Sequence, residues 1–244
     1  MRSFTTSSGF VIRWYDCVGS TNDEARTWSE LGAPDGSVVC ADQQTAGRGR
    51  RGAAWISPVG EALAFSQILR PTMARALWPR LALVAGLAVA KTLEAHGIAA
   101  EVKWPNDVWV KEKKIAGILV ESTGDAVIVG VGLNVNPVDF PQDIAAIATS
   151  MRIETGREYN REELLIALSR SIMLHSQRIE ADFTDILRDL RERCALTGKR
   201  VSLTLGHETH MARVMGISDH GELLIERHGH VEAIWQADQI RVVH

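Results

Sequence analysis

Val38-Val39-Cys40-Ala41-Asp42-Gln43-Gln44-Thr45-Ala46-Gly47-Arg48-Gly49-Arg50-Arg51-Gly52 runs from four apolar residues into a segment whose last six residues hold three arginines and three glycines. A short apolar run bounded by turn residues reads as a buried strand, so residues 38–41 are expected to be a strand and residues 42–52 a loop leaving its end. Glycine permits positive φ and close approach of backbone to a ligand. Arginine stays charged and presents a fork of donors matched to phosphate or carboxylate oxygens. Such a loop suits closure over a polyanion. With no apolar anchor of its own, it is expected to be mobile without ligand and ordered with one. It is not a Walker A loop, because no Gly-Lys-Ser/Thr follows the glycines. Similar composition occurs in disordered RNA-binding tails and in inert surface loops. The position deep inside a well-patterned domain favours a site.

The surroundings are those of an ordinary globular chain. At 244 residues, 45% hydrophobic and 23% charged, it is long enough for one large domain, or a large one with a small one. The formal net charge of −3 makes the arginine loop a local positive feature, whereas a dedicated nucleic-acid binder is usually basic overall. Cys17, Cys40 and Cys194 are odd in number and widely spaced, so neither a disulfide framework nor a zinc site is implied, and a reducing, cytoplasmic setting is expected. Residues 1–9 lack the apolar core of a signal peptide. The most apolar run, residues 81–90, is too short for a bilayer, which needs about 20 residues. It reads as a buried core helix, and no membrane association is expected.

Strands are expected at residues 10–15, 38–41, 62–69, 100–104, 108–110, 115–121 and 127–135, the last two antiparallel neighbours joined through Gly124-Asp125. Pro105-Asn106-Asp107 is a turn. Helices are expected after Ser20-Thr21-Asn22, any of which can cap residues 23–31, within residues 71–97 with Gly97 at the end, from Asn160 with Glu163 three residues on, and over residues 183–194. From residue 199 the texture changes to five short β-like runs, at 200–205, 211–217, 223–226, 231–234 and 240–243. Turns stand at Leu205-Gly206-His207 and at Ser218-Asp219-His220-Gly221. The spacing suggests a small five-stranded β-barrel, with a domain boundary near residues 195–198.

Two further segments carry candidate chemistry. Lys103-Trp104-Pro105-Asn106-Asp107 precedes Lys114-Ile115-Ala116-Gly117, where a lysine stands at the mouth of an apolar strand. Such a lysine is usually a solvated strand end. This one comes with an aspartate on a tight turn and a glycine that admits a close neighbour. In Val129-Gly130-Val131-Gly132-Leu133-Asn134-Val135-Asn136, alternation puts the apolar residues on one face and Gly130, Gly132, Asn134 and Asn136 on the other. Paired glycines on one face mark a close ligand or tight helix packing, and both readings stand equally.

Together these segments resemble the biotin protein ligase family. The match is carried by Ser20-Thr21-Asn22, Gln44 to Gly52 with Trp55, Lys103 to Asp107, Lys114 to Gly117 and Gly130 to Asn134, in the family's order and spacing. It covers roughly residues 10–140 strongly. The family usually closes its C-terminal barrel with a Ser-Gly-Glu/Asp element, where this chain has Trp235-Gln236-Ala237-Asp238. The resemblance implies an α+β fold. A mixed-sheet catalytic domain of the biotin/lipoyl protein ligase type would span 1–195, and a small Src-homology-3-like β-barrel 196–244. It also implies a two-step reaction: biotin and ATP give biotinyl-5′-AMP, and the biotinyl group then passes to a lysine of a biotin carboxyl carrier protein. Magnesium is expected, with no motif identifying its ligands.

By the same resemblance, Lys114, Arg48, Arg50 and Asp107 are the candidate catalytic residues. Ser20, Thr21, Asn22, Gln44, Gly47, Arg48, Arg50, Lys114 and Gly117 would bind biotin. Arg50, Arg51, Trp55, Lys114 and Asn134 would bind ATP or the adenylate. Asp107 would accept the proton of the incoming lysine, though a carboxylate beside Lys103 reads equally as an ion-paired turn. Some family members add an N-terminal winged helix-turn-helix. Only about ten residues precede the first expected strand, so the resemblance is to the monofunctional type and no sequence-specific DNA binding is expected. Oligomeric state stays open, a homodimer included. The nearest alternative is a lipoate or octanoate ligase or transferase of the same fold. A distant one is a non-enzymatic RNA-binding or interaction protein, which the acidic balance and scarce aromatics support little.

Overall fold

A computed structural model describes residues 1–7, 9–56, 58–206 and 208–243. Eight strands form one sheet: β1 (Arg2–Thr5), β2 (Val11–Val18), β3 (Val38–Gln44), β4 (Leu63–Leu69), β5 (Glu101–Lys103), β6 (Asp107–Val110), β7 (Lys113–Thr123) and β8 (Ala126–Leu133). Their order is β1-β2-β3-β4-β8-β7-β6-β5. The pair β2–β3 is parallel and the other pairs are antiparallel. The expected strands are all present. β1 was not expected: its four residues, Arg-Ser-Phe-Thr, carry too little apolar pattern to read as a strand. Asp42, Gln43 and Gln44 also stand in β3 rather than in the loop, because the parallel register pairs Gln43 with Cys17 and Gln44 with Val18.

Register decides what the sheet presents. Directly opposed residues of antiparallel strands share a face. Asp107 faces Gly117, Gly117 faces Gly132, Gly132 faces Ala64 and Ala64 faces Ala41, so one row crosses five strands with almost no side chain between its ends. The next row on that face is Leu119, Gly130, Ser66 and Val39. Helix α1 (Thr21–Glu30) lies over this face and buries Ala25 and Trp28 against Val39, Ile68 and Ile128. The opposite face carries Val38, Cys40, Phe65, Val129, Val131 and Leu133 in the main core. There it meets α2 (Arg80–Ala95) and α4 (Arg161–Gln177). Short α3 (Met151–Thr155) was not expected, and α5 (Phe183–Glu192) was.

The segment Leu81 to Ala90 is apolar on nearly every side, as a helix buried all round must be, and seven of its members are at most 1% exposed. Within the expected 71–97 stretch the α-helix begins only at Arg80, after a 3-10 turn at Arg75–Leu77, and Gly97 follows its end at φ 81°. At α4, the Asn160 side chain accepts from the backbone N–H groups of Glu162 and Glu163 at 2.9 and 3.3 Å. It thereby satisfies two donors that the first turn leaves open.

The second sheet comprises β9 (Arg200–Leu205), β10 (Glu208–Ile217), β11 (Leu223–Arg227), β12 (His230–Ile234) and β13 (Gln239–Val242), in the order β12-β11-β10-β9-β13. The five strands stand where the sequence puts them. His207, of the expected turn before β10, lies outside the described residues. Among the described residues β12 and β13 are not paired with each other, so the sheet is open and the expected closed barrel is not what the strand pairing gives. The β10–β11 turn docks onto the first sheet: Trp104, 1% exposed, donates its indole N–H to the Gly221 carbonyl at 3.1 Å.

Asn160→Ala should lower the unfolding free energy by about 1 kcal/mol, read by urea denaturation. Asn160→Asp, which keeps the acceptor, should retain most of it.

Candidate active site

Over the bare row of the first sheet lies a cavity of about 340 Å³. Its walls are the N-terminus of α1, the arginine loop, the turn between β5 and β6, and the β12–β13 connection. The glycines make room. A Cβ on Gly132 would fall 2.7 Å from the Trp55 indole nitrogen, and one on Gly117 3.3 Å from the same ring. A Cβ on Gly130 would collide with the Asn22 amide. Trp55 therefore lies directly on backbone. Its buried indole N–H has no hydrogen-bond partner among the described residues.

One end of the cavity is neutral and densely hydrogen-bonded. Ser20 takes the N-cap position of α1 in extended conformation, but its hydroxyl makes no capping bond. Gln44 Oε1 accepts from the Thr21 backbone N–H at 2.8 Å and from its hydroxyl at 3.1 Å. Ser66, fully buried on β4, donates to Asn22 Oδ1 at 2.6 Å and lies 2.8 Å from the Thr21 hydroxyl. Asn22 donates to Glu121 at 2.7 Å. Buried polar side chains held this way present a fixed pattern of donors and acceptors.

The other end is charged. Arg48, Arg50, Lys103, Lys114 and Arg241 line the cavity, against the carboxylates of Asp107 and Asp238. Three cations of the region already have carboxylate partners. Arg48 donates to both oxygens of Asp23 at 2.6 Å, and Lys114 pairs with Asp107 at 2.7 Å. Arg51 pairs with Asp238. Arg50 forms no ion pair among the described residues and donates only to the Asn106 amide oxygen at 3.3 Å. Burial, reinforced by the charge of Arg51, pushes its guanidinium below the usual arginine range despite Asp107. Burial likewise lowers the Lys103 ammonium. Asp107 opposes that shift, while Lys114 and Arg241 add to it. Two charges held out of water without full compensation favour an anion beside them.

The arginine loop is folded. Arg48 bridges to Ala54, Gly49 donates to the Ala53 carbonyl at 2.6 Å, and Trp55 donates to the Gly47 carbonyl at 2.9 Å. Gly47 permits this closure, since a Cβ there would sit 2.7 Å from the Trp55 carbonyl.

Ser20, Thr21, Asn22, Gln44, Arg48, Arg50, Trp55, Asp107, Lys114 and Gly117 line one cavity, from four separate stretches of chain. Gly47, Arg51 and Asn134 do not line it. Gly47 shapes the loop, and Arg51 turns toward Asp238. Asn134 is 5% exposed, and its side-chain amide donates to the Thr149 carbonyl at 3.0 Å, fixing the segment that leads into α3. Ser66, Glu121, Asp23 and Arg241 were missed. Ser66 carries the one detectable signal, a hydroxyl inside the apolar run Leu63-Ala64-Phe65-Ser66. The others take their meaning from partners distant in sequence. Among the described residues no group of three or more His, Cys, Asp or Glu could hold a metal ion, and no helix is long and apolar enough to cross a membrane.

The Biotin/lipoate A/B protein ligase family matches residues 14–136. The bifunctional ligase/repressor BirA of Bacillus subtilis is 36% identical over 250 residues, covering 96% of this chain and 75% of the relative. The biotin–[acetyl-CoA-carboxylase] ligase of Mycobacterium tuberculosis is 32% identical over 255 residues, covering 99% and 94%. The solved biotin protein ligase of Aquifex aeolicus in complex with biotin and ATP superposes with a TM-score of 0.86 at 32% identity, covering 95% of this chain and 99% of that one.

The Arg48–Asp23 clasp gives a pH-dependent expectation. The Arg48 hydrogen bond, more than its bare charge, holds the Asp23 carboxyl below the usual carboxylate range. Its folded value lies below its unfolded value. Its stabilisation is therefore present above the usual carboxylate range and lost as pH falls through the lowered folded value. At neutral pH the clasp is intact, and Asp23→Asn should remove it. Trypsin should then cut the Asp23→Asn protein after Arg48 faster than the native protein at pH 7. Equal cutting would show that the clasp does not hold the loop.

Proposed function

The chain belongs to the biotin/lipoate A/B protein ligase family, and on that footing we propose that it is a biotin protein ligase. It joins biotin and ATP into biotinyl-5′-adenylate and passes the biotinyl group to a lysine of a biotin carboxyl carrier protein, as in acetyl-CoA carboxylase or a similar carboxylase. One observation carries the reading: a single glycine-floored cavity has a fixed neutral hydrogen-bonding end and an end with uncompensated cations. A ureido ring, with one carbonyl and two N–H groups, matches the first. A carboxylate meeting a triphosphate matches the second. A plain acyl chain would leave the polar end unpaired, which counts against lipoate or octanoate.

In the first step a biotin carboxylate oxygen bonds to the α-phosphorus of ATP, and the bond to the leaving pyrophosphate breaks. Two anions must approach, so preorganised cations lower the barrier. Arg50 and Lys103 are the charges awaiting such a partner. Lys114, on the edge of the bare row, reaches the meeting point of carboxylate and phosphate by exchanging its contact with Asp107. Arg48 acts on the ligand through the loop it clasps, and Asn134 through the segment it fixes rather than by touching adenine. In the second step the carrier lysine attacks the acyl carbon, AMP leaves, and Asp107 is the nearby carboxylate to take the amine proton. Magnesium would assist by shielding the polyphosphate. Among the described residues no cluster of three or more His, Cys, Asp or Glu offers it a ready-made cage, and the polyphosphate oxygens would be its main ligands.

The same reading makes residues 1–195 the catalytic unit and residues 196–244 a small domain related to the Src-homology-3-like barrel. Support for the latter is the alternate burial of Val201, Leu203, Val214, Leu223 and Ile225 along its strands. A cytoplasmic site of action fits the carrier's role.

Pyrophosphate–ATP exchange should depend on biotin and fail with lipoate or octanoate. Equal exchange with octanoate would sink the assignment. Lys114→Ala should slow adenylate formation by ~10²-fold or more while weakening biotin binding far less, because its partner is charge that grows during attack. Lost biotin binding by calorimetry with normal turnover at saturation would contradict that role.

A further inference from the structure

Beneath the N-terminus of α1 a single line of hydrogen bonds runs from β7 to β3. Glu121 Oε2 accepts from the Asn22 side-chain N–H at 2.7 Å. Asn22 Oδ1 accepts from the Ser66 hydroxyl at 2.6 Å. Ser66 Oγ is 2.8 Å from the Thr21 hydroxyl, which in turn is 3.1 Å from Gln44 Oε1. Thr21, Asn22 and Ser66 are at most 4% exposed. Thr21, Asn22 and Gln44 line the cavity, whereas Ser66 and Glu121 stand behind them. The Glu121 carboxylate is itself held, since its Oε1 pairs at 3.3 Å with Arg26, one turn along α1 from Asn22. Such a line could run in either direction, because a hydroxyl both gives and takes a proton and an amide can turn over. Its two ends decide. A carboxylate only accepts, so Asn22 turns its NH2 group to Glu121 and its oxygen to Ser66. Ser66 has one proton and spends it on Asn22. At the far end the Thr21 backbone N–H donates to Gln44 Oε1 at 2.8 Å and fixes that oxygen as an acceptor. The Thr21 proton therefore has two acceptors waiting inside the line, Ser66 Oγ and Gln44 Oε1, and the Thr21 oxygen is left to accept from whatever occupies the cavity.

We propose that Glu121 is a positioning residue that determines specificity at the neutral end of the cavity. By setting the direction of this line, it makes Thr21 read a ligand N–H rather than a ligand acceptor. The proposal rests on the biotin reading, in which the ureido ring supplies that N–H. Glu121 does not touch the ligand and acts through Asn22 and Ser66. Buried, fully connected networks of this kind polarise one another, so a change at one end is felt at the other. An amide in place of the carboxylate gives as well as takes. In Glu121→Gln the line is free to reverse: Asn22 can offer its NH2 group to Ser66, Ser66 can donate to Thr21, and the Thr21 proton becomes available to a ligand acceptor.

The test measures, by calorimetry, the affinity for biotin and for the two cyclic carbamates that replace one or other ureido N–H with a ring oxygen. Native protein is compared with Glu121→Gln and with the exchanged pair Glu121→Gln with Asn22→Asp. In ligand-free native protein, NMR should show coupling across the hydrogen bond between the Asn22 side-chain nitrogen and the Glu121 carboxyl carbon. Native protein should prefer biotin to at least one carbamate by about ten-fold or more, because a ring oxygen leaves the Thr21 acceptor unpaired. Glu121→Gln should cut that preference about five-fold, equivalent to ~1 kcal/mol for one net hydrogen bond. The exchanged pair puts the acceptor-only group at position 22, where Ser66 still donates to it, and should recover most of the preference whatever its absolute affinities. Should Glu121→Gln fail to fold, Ser66→Ala removes the nearest acceptor of the Thr21 proton and should lower the preference in the same direction. A purely structural role would weaken biotin and carbamates alike, and an unchanged preference in Glu121→Gln overturns the proposal. So does native protein that binds both carbamates as well as biotin, or that lacks the coupling. If native protein binds none of the three, the ligase reading has failed instead, and the coupling alone decides whether Glu121 sets the direction of the Asn22 amide.

Discussion

The cavity exists because the centre of the main sheet carries almost no side chains on one face. Antiparallel register aligns Gly117, Gly132, Ala64 and Ala41 in a row ending at Asp107, with Gly130 and Ser66 in the row beside it. Central strands usually gain stability from cross-strand side-chain pairs, and glycine forgoes that and costs backbone entropy. The compensation lies on the reverse face, where Phe65, Val129, Val131 and Leu133 are at most 3% exposed. A flat floor of backbone lets Trp55 and Asn22 rest where a Cβ would collide with them. Everything else in the site is arranged around that floor.

Charge is distributed over it unevenly. Arg48 and Arg51 each stand against a carboxylate, of Asp23 and of Asp238. Arg50 and Lys103 are left partly desolvated without a full partner. That division separates cations that have a carboxylate partner from cations that have none among the described residues. The neutral end is preorganised by the same logic: Ser66 and Glu121 fix the Asn22 amide before any ligand arrives.

Much of this was legible in the chain. Strand alternation around Gly130 and Gly132 put both glycines on one face, and the structure places Trp55 and Asn22 against them. The Asn160 cap and the five C-terminal runs also read correctly. What escaped depends on distant partners. Four residues of β1 become a strand only because β2 offers an edge. Asp42 to Gln44 look like loop until β2 pairs with them. Arg48, Arg50 and Arg51 are chemically identical in sequence, and only the positions of Asp23, Asn106 and Asp238 give them different neighbours. Asn134 shares the glycine alternation yet turns into the Thr149 carbonyl, a partner 15 residues away. The open strand order of the C-terminal sheet likewise depends on an edge pairing that spacing does not specify.

The most direct measurement is the intact mass of a biotin carboxyl carrier domain after incubation with this protein, biotin, ATP and magnesium. A gain of one biotinyl group at a single lysine, absent when ATP or biotin is omitted, is the expected result. An unchanged carrier mass from folded protein that binds both substrates would contradict the assignment of this cavity to biotinyl transfer.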